Sequence, residues 1–162
     1  LVFAKEKIKK QLRHHQISTG RFAIPPGDPN HRVSTSRTFS ENSTGVGMFV
    51  HMHLRGKNMT FVGEYPDGKR DTLLAVPNYD FNWQMAYRWE KNAMHFPKET
   101  KITCIAHYDN SPFNPYNPDP TQTVRHGQQT YQEMMYGFLF YTHDDEELDL
   151  DIDPRTGRVV KK

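Results

Sequence analysis

Helical periodicity is nearly absent from this chain, and short apolar runs are cut at close intervals by turn chemistry. Residues 47–54 (GMFVHMHL) form one such run, stopped by Arg55-Gly56-Lys57. Residues 59–65 and 72–76 flank Pro66-Asp67-Gly68-Lys69, a hairpin signal because proline presets φ and glycine accepts a positive φ. Residues 81–89 alternate around Trp83, Met85 and Tyr87, so Trp83 is expected to anchor a sheet. Residues 101–108 and 136–142 supply two further strands. Six or seven strands at this spacing predict an all-β chain, an antiparallel β-sandwich of jelly-roll-like form. A single short helix is expected over residues 6–14. Two loops are proline-rich: 24–29, and 109–120 (DNSPFNPYNPDP), whose twelve residues are expected to have a structural or functional role.

Ten Phe, eight Tyr and two Trp argue against disorder, since aromatics repay the entropy of ordering. No apolar run approaches the roughly 18–20 residues of a membrane span. One cysteine, Cys104, excludes an intrachain disulfide, a cysteine-based zinc site and a thiol redox pair. Against it stand nine histidines and seven methionines, so a transition metal would be held by imidazole and thioether.

The net charge of +2 hides an asymmetry. Lys5, Lys7, Lys9, Lys10 and Arg13 outweigh Glu6, residues 144–153 carry seven acids and no base, and the last nine residues are basic. The basic start is short and lacks interleaved aromatics, so no nucleic-acid partner is expected; the two charged ends are expected to be solvated or to attract each other. The opening Leu1-Val2-Phe3-Ala4 reads as the inside of a strand, and the chain is expected to belong to a longer protein. Residues 1–19 are expected to be a lead-in, 20–143 the sandwich, and 144–162 an acidic then basic tail.

The sharpest local feature is His51-Met52-His53. In a strand, residues two apart share a face, so the imidazoles can converge while Met52 points away. Nine histidines produce roughly 0.5 such pairs by chance, so spacing alone favours two solvated side chains. A ligand pair also needs a third donor, for which His107, His126, Met134 and Met135 are candidates. Only one of the adjacent methionines can share the histidines' face. Two imidazoles and a thioether suit copper, above all Cu(I), whose softness favours sulfur; zinc more often recruits carboxylate or thiolate.

The segments HMHLRGK (51–57), CIAHYDNS (104–111) and GQQTYQEMMYGFLFY (127–141) resemble the copper type II, ascorbate-dependent monooxygenases. More narrowly, they are similar to the C-terminal catalytic domain shared by peptidylglycine α-hydroxylating monooxygenase and dopamine β-hydroxylase. IPPGDPN (24–30), YDFNWQ (79–84) and DNS…NPDP (109–120) extend the likeness to bacterial multidomain proteins that carry this module, with Val50 where those have proline. The resemblance covers about residues 20–142.

It implies one mononuclear copper held by His51, His53 and Met134, with Glu133 as the acid preceding the methionine. In the family this copper activates O2 beside a substrate C–H bond. A second centre on an upstream relay domain, or a fused haem domain, delivers electrons from a reductant such as ascorbate. The resemblance implies a secreted or periplasmic protein acting on a small-molecule substrate. Peptidylglycine is not expected as that substrate. Phe49 stands where the family has its carboxylate-binding arginine, and Tyr136 and Phe138 stand where it has further carboxylate contacts. These three residues become the candidate substrate pocket, with an aromatic rim. The family disulfide would fall on Cys104 and Met135 and cannot form.

His107 and His126 are candidates for supporting the metal ligands, although a structural histidine bonded to the 109–120 loop is the plainer expectation for His107. His14 and His15 point in opposite directions and are expected to face solvent. Arg55 and Lys57 are expected to be solvated or to attract an acidic partner. Asp149, Asp151 and Asp153 do not make a calcium loop, because Pro154 and Val160 occupy the positions that need Gly and Glu. Two other functions remain open: a non-catalytic copper-binding or structural module within a larger assembly, and a carbohydrate-binding sandwich with surface histidines.

Overall fold

The computed structural model describes residues 4–160. Leu1–Phe3, read above as strand interior, and Lys161 and Lys162 of the basic end lie outside the described residues. Among the described residues there is no helix, and so none long and apolar enough to cross a membrane.

Strict alternation makes the longest strands. In β9 (Lys101–Tyr108), Ile102, Cys104, Ala106 and Tyr108 are buried, while the residues between them face outward. β5 (Gly56–Glu64) buries Met59 and Phe61 in the same way, and β11 (Tyr136–His143) buries Leu139 and Tyr141. β3 (His31–Thr38), β9, β5 and β6 (Arg70–Val76) form a four-stranded antiparallel sheet in that order. The expected hairpin joins β5 to β6, with Gly68 at φ +85° in its turn.

The facing sheet runs β1 (Arg13–Ser18), β11, β4 (Ser43–His51), β7 (Ala86–Arg88), with β8 (Met94–Phe96) also pairing β4. A small ribbon joins β2 (Ala23–Ile24) to β10 (Val124–Arg125). The two large sheets pack face to face as an antiparallel β-sandwich. Gly137 marks how closely they approach: a Cβ there would sit 2.7 Å from the Phe61 ring and 2.8 Å from Cys104 Sγ. A glycine lets β11 lie against β9 and β5 where any side chain would collide. Cys104 and Met135 are both buried in this core, and burial pushes the Cys104 thiol well above its usual range.

Several expectations need correction. Residues 6–14 are not helical: Ile8 and Leu150 exchange backbone hydrogen bonds of 2.9 and 3.0 Å, and from Arg13 the chain is strand β1, paired with β11. A short polar segment has no apolar stripe to bury as a helix, whereas as a strand it inserts Ile17 into the core. The sandwich therefore begins at Arg13, inside the expected lead-in. His14 is exposed as expected, but His15 turns inward, its ring 4.6 Å from that of Tyr141 and 4.8 Å from that of Phe39. Trp83 anchors nothing; it is 71% exposed, because residues 80–83 form a turn closed by Trp83 N donating to Asp80 O, and strand β7 starts only at Ala86. Arg55 is 1% exposed rather than solvated. The strand count is also higher, since polar β1 and β3 and the two- and three-residue strands carry no clear alternation in sequence. The charged ends do attract each other: Lys7 pairs with Asp149 at 3.0 Å and Arg13 with Glu146 at 2.5 Å.

Candidate metal centre

β4 ends at His51, whose side chain lies on the outer face of the five-stranded sheet, opposite Tyr136 of β11. Val50 and Met52, its chain neighbours, are buried in the core. His53 follows in the tight connection to β5 and is 4% exposed. The two imidazole centroids are 5.2 Å apart and the rings stand at 85° to one another.

The hydrogen bonds decide which ring nitrogens are free. Gln84 donates its Nε2 to the Phe81 carbonyl at 2.9 Å, which turns its Oε1 toward His51 Nδ1 at 2.7 Å. His53 Nδ1 lies 3.3 Å from the carbonyl oxygen of Gln132. Both partners are carbonyl oxygens and can only accept, so a neutral ring at either position carries its proton on Nδ1 and its lone pair on Nε2; the Gln129 carbonyl also lies within hydrogen-bond reach of the His53 ring. Burial holds His53 below the ordinary imidazole pKa, favouring the neutral form a metal needs.

Alternation separates the two methionines. Met135 is fully buried in the core, and half-buried Met134 lies on the opposite side of the chain. The backbone of Met134 is joined to that of His53 through the Glu133 carboxylate, which accepts from both N–H groups. Among the described residues, no three His, Cys, Asp or Glu side chains gather as a metal-binding group, and the third donor that the resemblance implies is the Met134 thioether. Two neutral imidazoles and a thioether form a soft, uncharged donor set. Such a set fits a copper ion and does not fit magnesium or calcium.

Beneath the imidazoles lies a buried polar network. The Glu133 carboxylate is fully buried and accepts from the backbone N–H of His53 (2.8 Å), Arg55 (2.7 Å) and Met134 (3.2 Å). Burial pushes this carboxyl up to about 7; the three N–H donors and the Arg55 charge offset only part of that. Arg55 in turn donates Nε to Asn110 Oδ1 at 2.8 Å, Nη1 to the Tyr131 carbonyl at 2.8 Å and Nη2 to the Asp119 carbonyl at 3.3 Å. Asn110 donates to the carbonyls of Pro25 and Gln122. Asn110 and Asp119 of the proline- and asparagine-rich loop thus wrap the guanidinium. Tyr79 pins the same segment, donating to Met52 O at 2.6 Å and accepting from Met52 N at 3.1 Å, while burial pushes its phenol up to about 12.

The other candidate residues divide. Phe49 pairs in register with Phe138, their rings 6.1 Å apart, and Tyr136 lies 6.1 Å from both Phe138 and His51. These three therefore form an aromatic row leading to His51. His126 comes close, with Nε2 3.3 Å from the Tyr136 hydroxyl and its backbone bridged to Glu133. His107 does not join them. It faces outward from the other sheet, and its Nδ1 meets Asn58 Oδ1 at 2.7 Å instead of the 109–120 loop. Gln84, Gln132, Tyr79 and Arg55 were not singled out as site residues. Gln84 and Tyr79 lie within YDFNWQ, the one signal that could have found them; Gln132 acts through its carbonyl, which no side-chain pattern records. Compared with known proteins, the chain matches no family model and no curated sequence.

Proposed function

We propose that this chain is a copper-binding module of the monooxygenase type, with His51 and His53 Nε2 and the Met134 thioether as ligands. The observation that supports the reading most is the pair of carbonyl acceptors that hold both Nδ1 protons and leave two Nε2 lone pairs on one face. When bound, copper would supply the one-electron and dioxygen chemistry for hydroxylating a C–H bond. Gln84 and the Gln132 carbonyl orient the rings. Glu133 accepts from the backbone N–H of both His53 and Met134, so the two halves of the ligand set are held by one buried carboxylate. Phe49, Tyr136 and Phe138 exclude water beside His51 and offer an aromatic wall to an uncharged substrate. On this reading electrons come from a second redox centre outside these residues, and the protein works in a secreted or periplasmic setting.

Copper titration with X-ray absorption on the reduced protein tests it. About one copper per chain with a sulfur scatterer is expected, lost in His51→Ala/His53→Ala. Stoichiometric loading of that double variant would overturn the assignment. Copper bound without turnover, even when an electron donor is supplied, would favour the non-catalytic module.

A further inference from the structure

A second concave site is lined in part by Phe81. A cleft of about 240 Å3 opens between residues 78–82 and 109–116. Phe81 lines it and also meets the His53 ring edge-on at 6.0 Å. Two kinds of side chain converge there. Phe113 is 89% exposed and Tyr116 58% exposed, both on the cleft wall. Asn78, Asp80 and Asn82 line the opposite wall, and Asp109 lies at the start of the 109–116 wall. Asp80 uses Oδ1 to accept from Asn82 N at 2.8 Å, and Asp109 uses Oδ1 to accept from Ser111 N at 2.9 Å, leaving each Oδ2 for another donor.

The exposed rings sit on a braced frame. Asn114 donates to the carbonyls of Leu54 and Asp109 at 3.3 and 2.8 Å and accepts from Tyr116 N at 3.0 Å. Asn117 donates to Asn110 Oδ1 and to the Ser111 carbonyl, and Pro112, Pro115 and Pro118 restrict the backbone between them. Aromatic rings left in water are free to be covered by a ligand, and holding them rigid lowers the entropy cost of binding.

The charge of the cleft narrows the ligand. Two carboxylates face one lysine, Lys57, whose Nζ already donates to the Pro29 carbonyl at 3.1 Å. A phosphate, a carboxylate or a nucleic-acid backbone would be repelled. A ligand that suits the site is neutral, rich in hydroxyl donors and able to lay a C–H face on an aromatic ring. That is the chemistry of a pyranose sugar: carboxylate and carboxamide oxygens take its hydroxyl protons, and ring C–H groups pack on Phe113 or Tyr116. We propose that the cleft between residues 78–82 and 109–116 binds one pyranose unit of a neutral oligosaccharide. The site is separate from His51 and His53 and needs no metal.

Calorimetric titration of the metal-free protein with cellohexaose, xylohexaose, mannohexaose and N-acetylchitohexaose tests it. At least one is expected to bind with a Kd of about 1 mM or tighter, equally in the presence and absence of EDTA. Phe113→Ala and Tyr116→Ala are each expected to weaken that binding about tenfold, and Asp80→Ala by a similar factor. The two aromatic positions are exposed, so unchanged melting temperatures would separate lost binding from lost fold. No binding by any of the four sugars at about 10 mM, or binding that survives the Phe113→Ala/Tyr116→Ala double variant, overturns the proposal. So would tighter binding of single-stranded oligothymidine than of any sugar. None of these results depends on copper, so the metal assignment and the sugar assignment fail separately.

Discussion

Residues 51–55 put one segment of chain to two opposite uses. On the outer side, His51 and His53 each spend Nδ1 on a carbonyl and keep the Nε2 lone pair. On the inner side, Arg55 and Glu133 spend their polar atoms on hydrogen bonds within the fold. A fully satisfied buried network specifies one conformation; a half-satisfied one leaves bonding capacity for something else. The inner network is what makes the outer one possible, because Glu133 holds the backbone of His53 and Met134 alike.

Breaking the inner side should have the largest effect. Arg55→Ala removes a guanidinium that is 1% exposed, opens a cavity and leaves the Glu133 carboxylate without its neighbouring positive charge. A loss of about 3–5 kcal/mol of stability is expected in denaturant unfolding, and a loss under about 1 kcal/mol would mean that the network is not the brace described. Gln84→Leu acts on the outer side only. It frees the His51 ring from its acceptor and should weaken copper binding about 10–100-fold while the metal-free protein melts nearly as before. Equal copper affinity in the variant would mean that the tether does not orient the ligand. His51→Ala sharpens the contrast further: the metal-free protein should change by no more than about 0.5 kcal/mol, but the rise in melting temperature on adding copper should shrink or vanish.

The smallest effect is expected away from both sides, where Arg13 and the N–H of Gln11 hold the Glu146 carboxyl down at about 2, below its ordinary 4.5. A carboxyl with a lowered folded-state pKa stabilises the fold fully above its unfolded value and loses that contribution as pH falls toward the folded value. The wild type and Glu146→Gln should therefore differ in melting temperature at pH 6 and converge between about pH 4.5 and 2. A gap that persists at pH 2 would show that the contact does not depend on the charge.

The all-β sandwich could be read from turn spacing and period-two runs because β9, β5 and the Pro66–Lys69 turn write their geometry locally. Strand β1 could not, since RHHQIS has a single buried apolar residue and owes its strand form to pairing with β11 over a hundred residues away. At the candidate site the His-x-His pair announced a shared face, and alternation limited the choice to one of two methionines. Burial then set half-buried Met134 apart from Met135, which is fully buried in the core. Trp83 and Arg55 reversed their expected places for a related reason. A tryptophan in an alternating run is normally buried and an arginine after a strand normally solvated, but a turn at 80–83 and carbonyl oxygens from residues 110, 119 and 131 overrode both tendencies.

By itself, then, the sequence determined the strand chemistry, the residue types available for a metal and the charges that the two ends carry. Tertiary structure alone decided which nitrogen of each imidazole is free, because the acceptors that hold the other nitrogen come from positions 84 and 132, far from 51 and 53 in the chain. Hydrogen-bond direction depends on what lies opposite in space, and no local pattern of side chains records it.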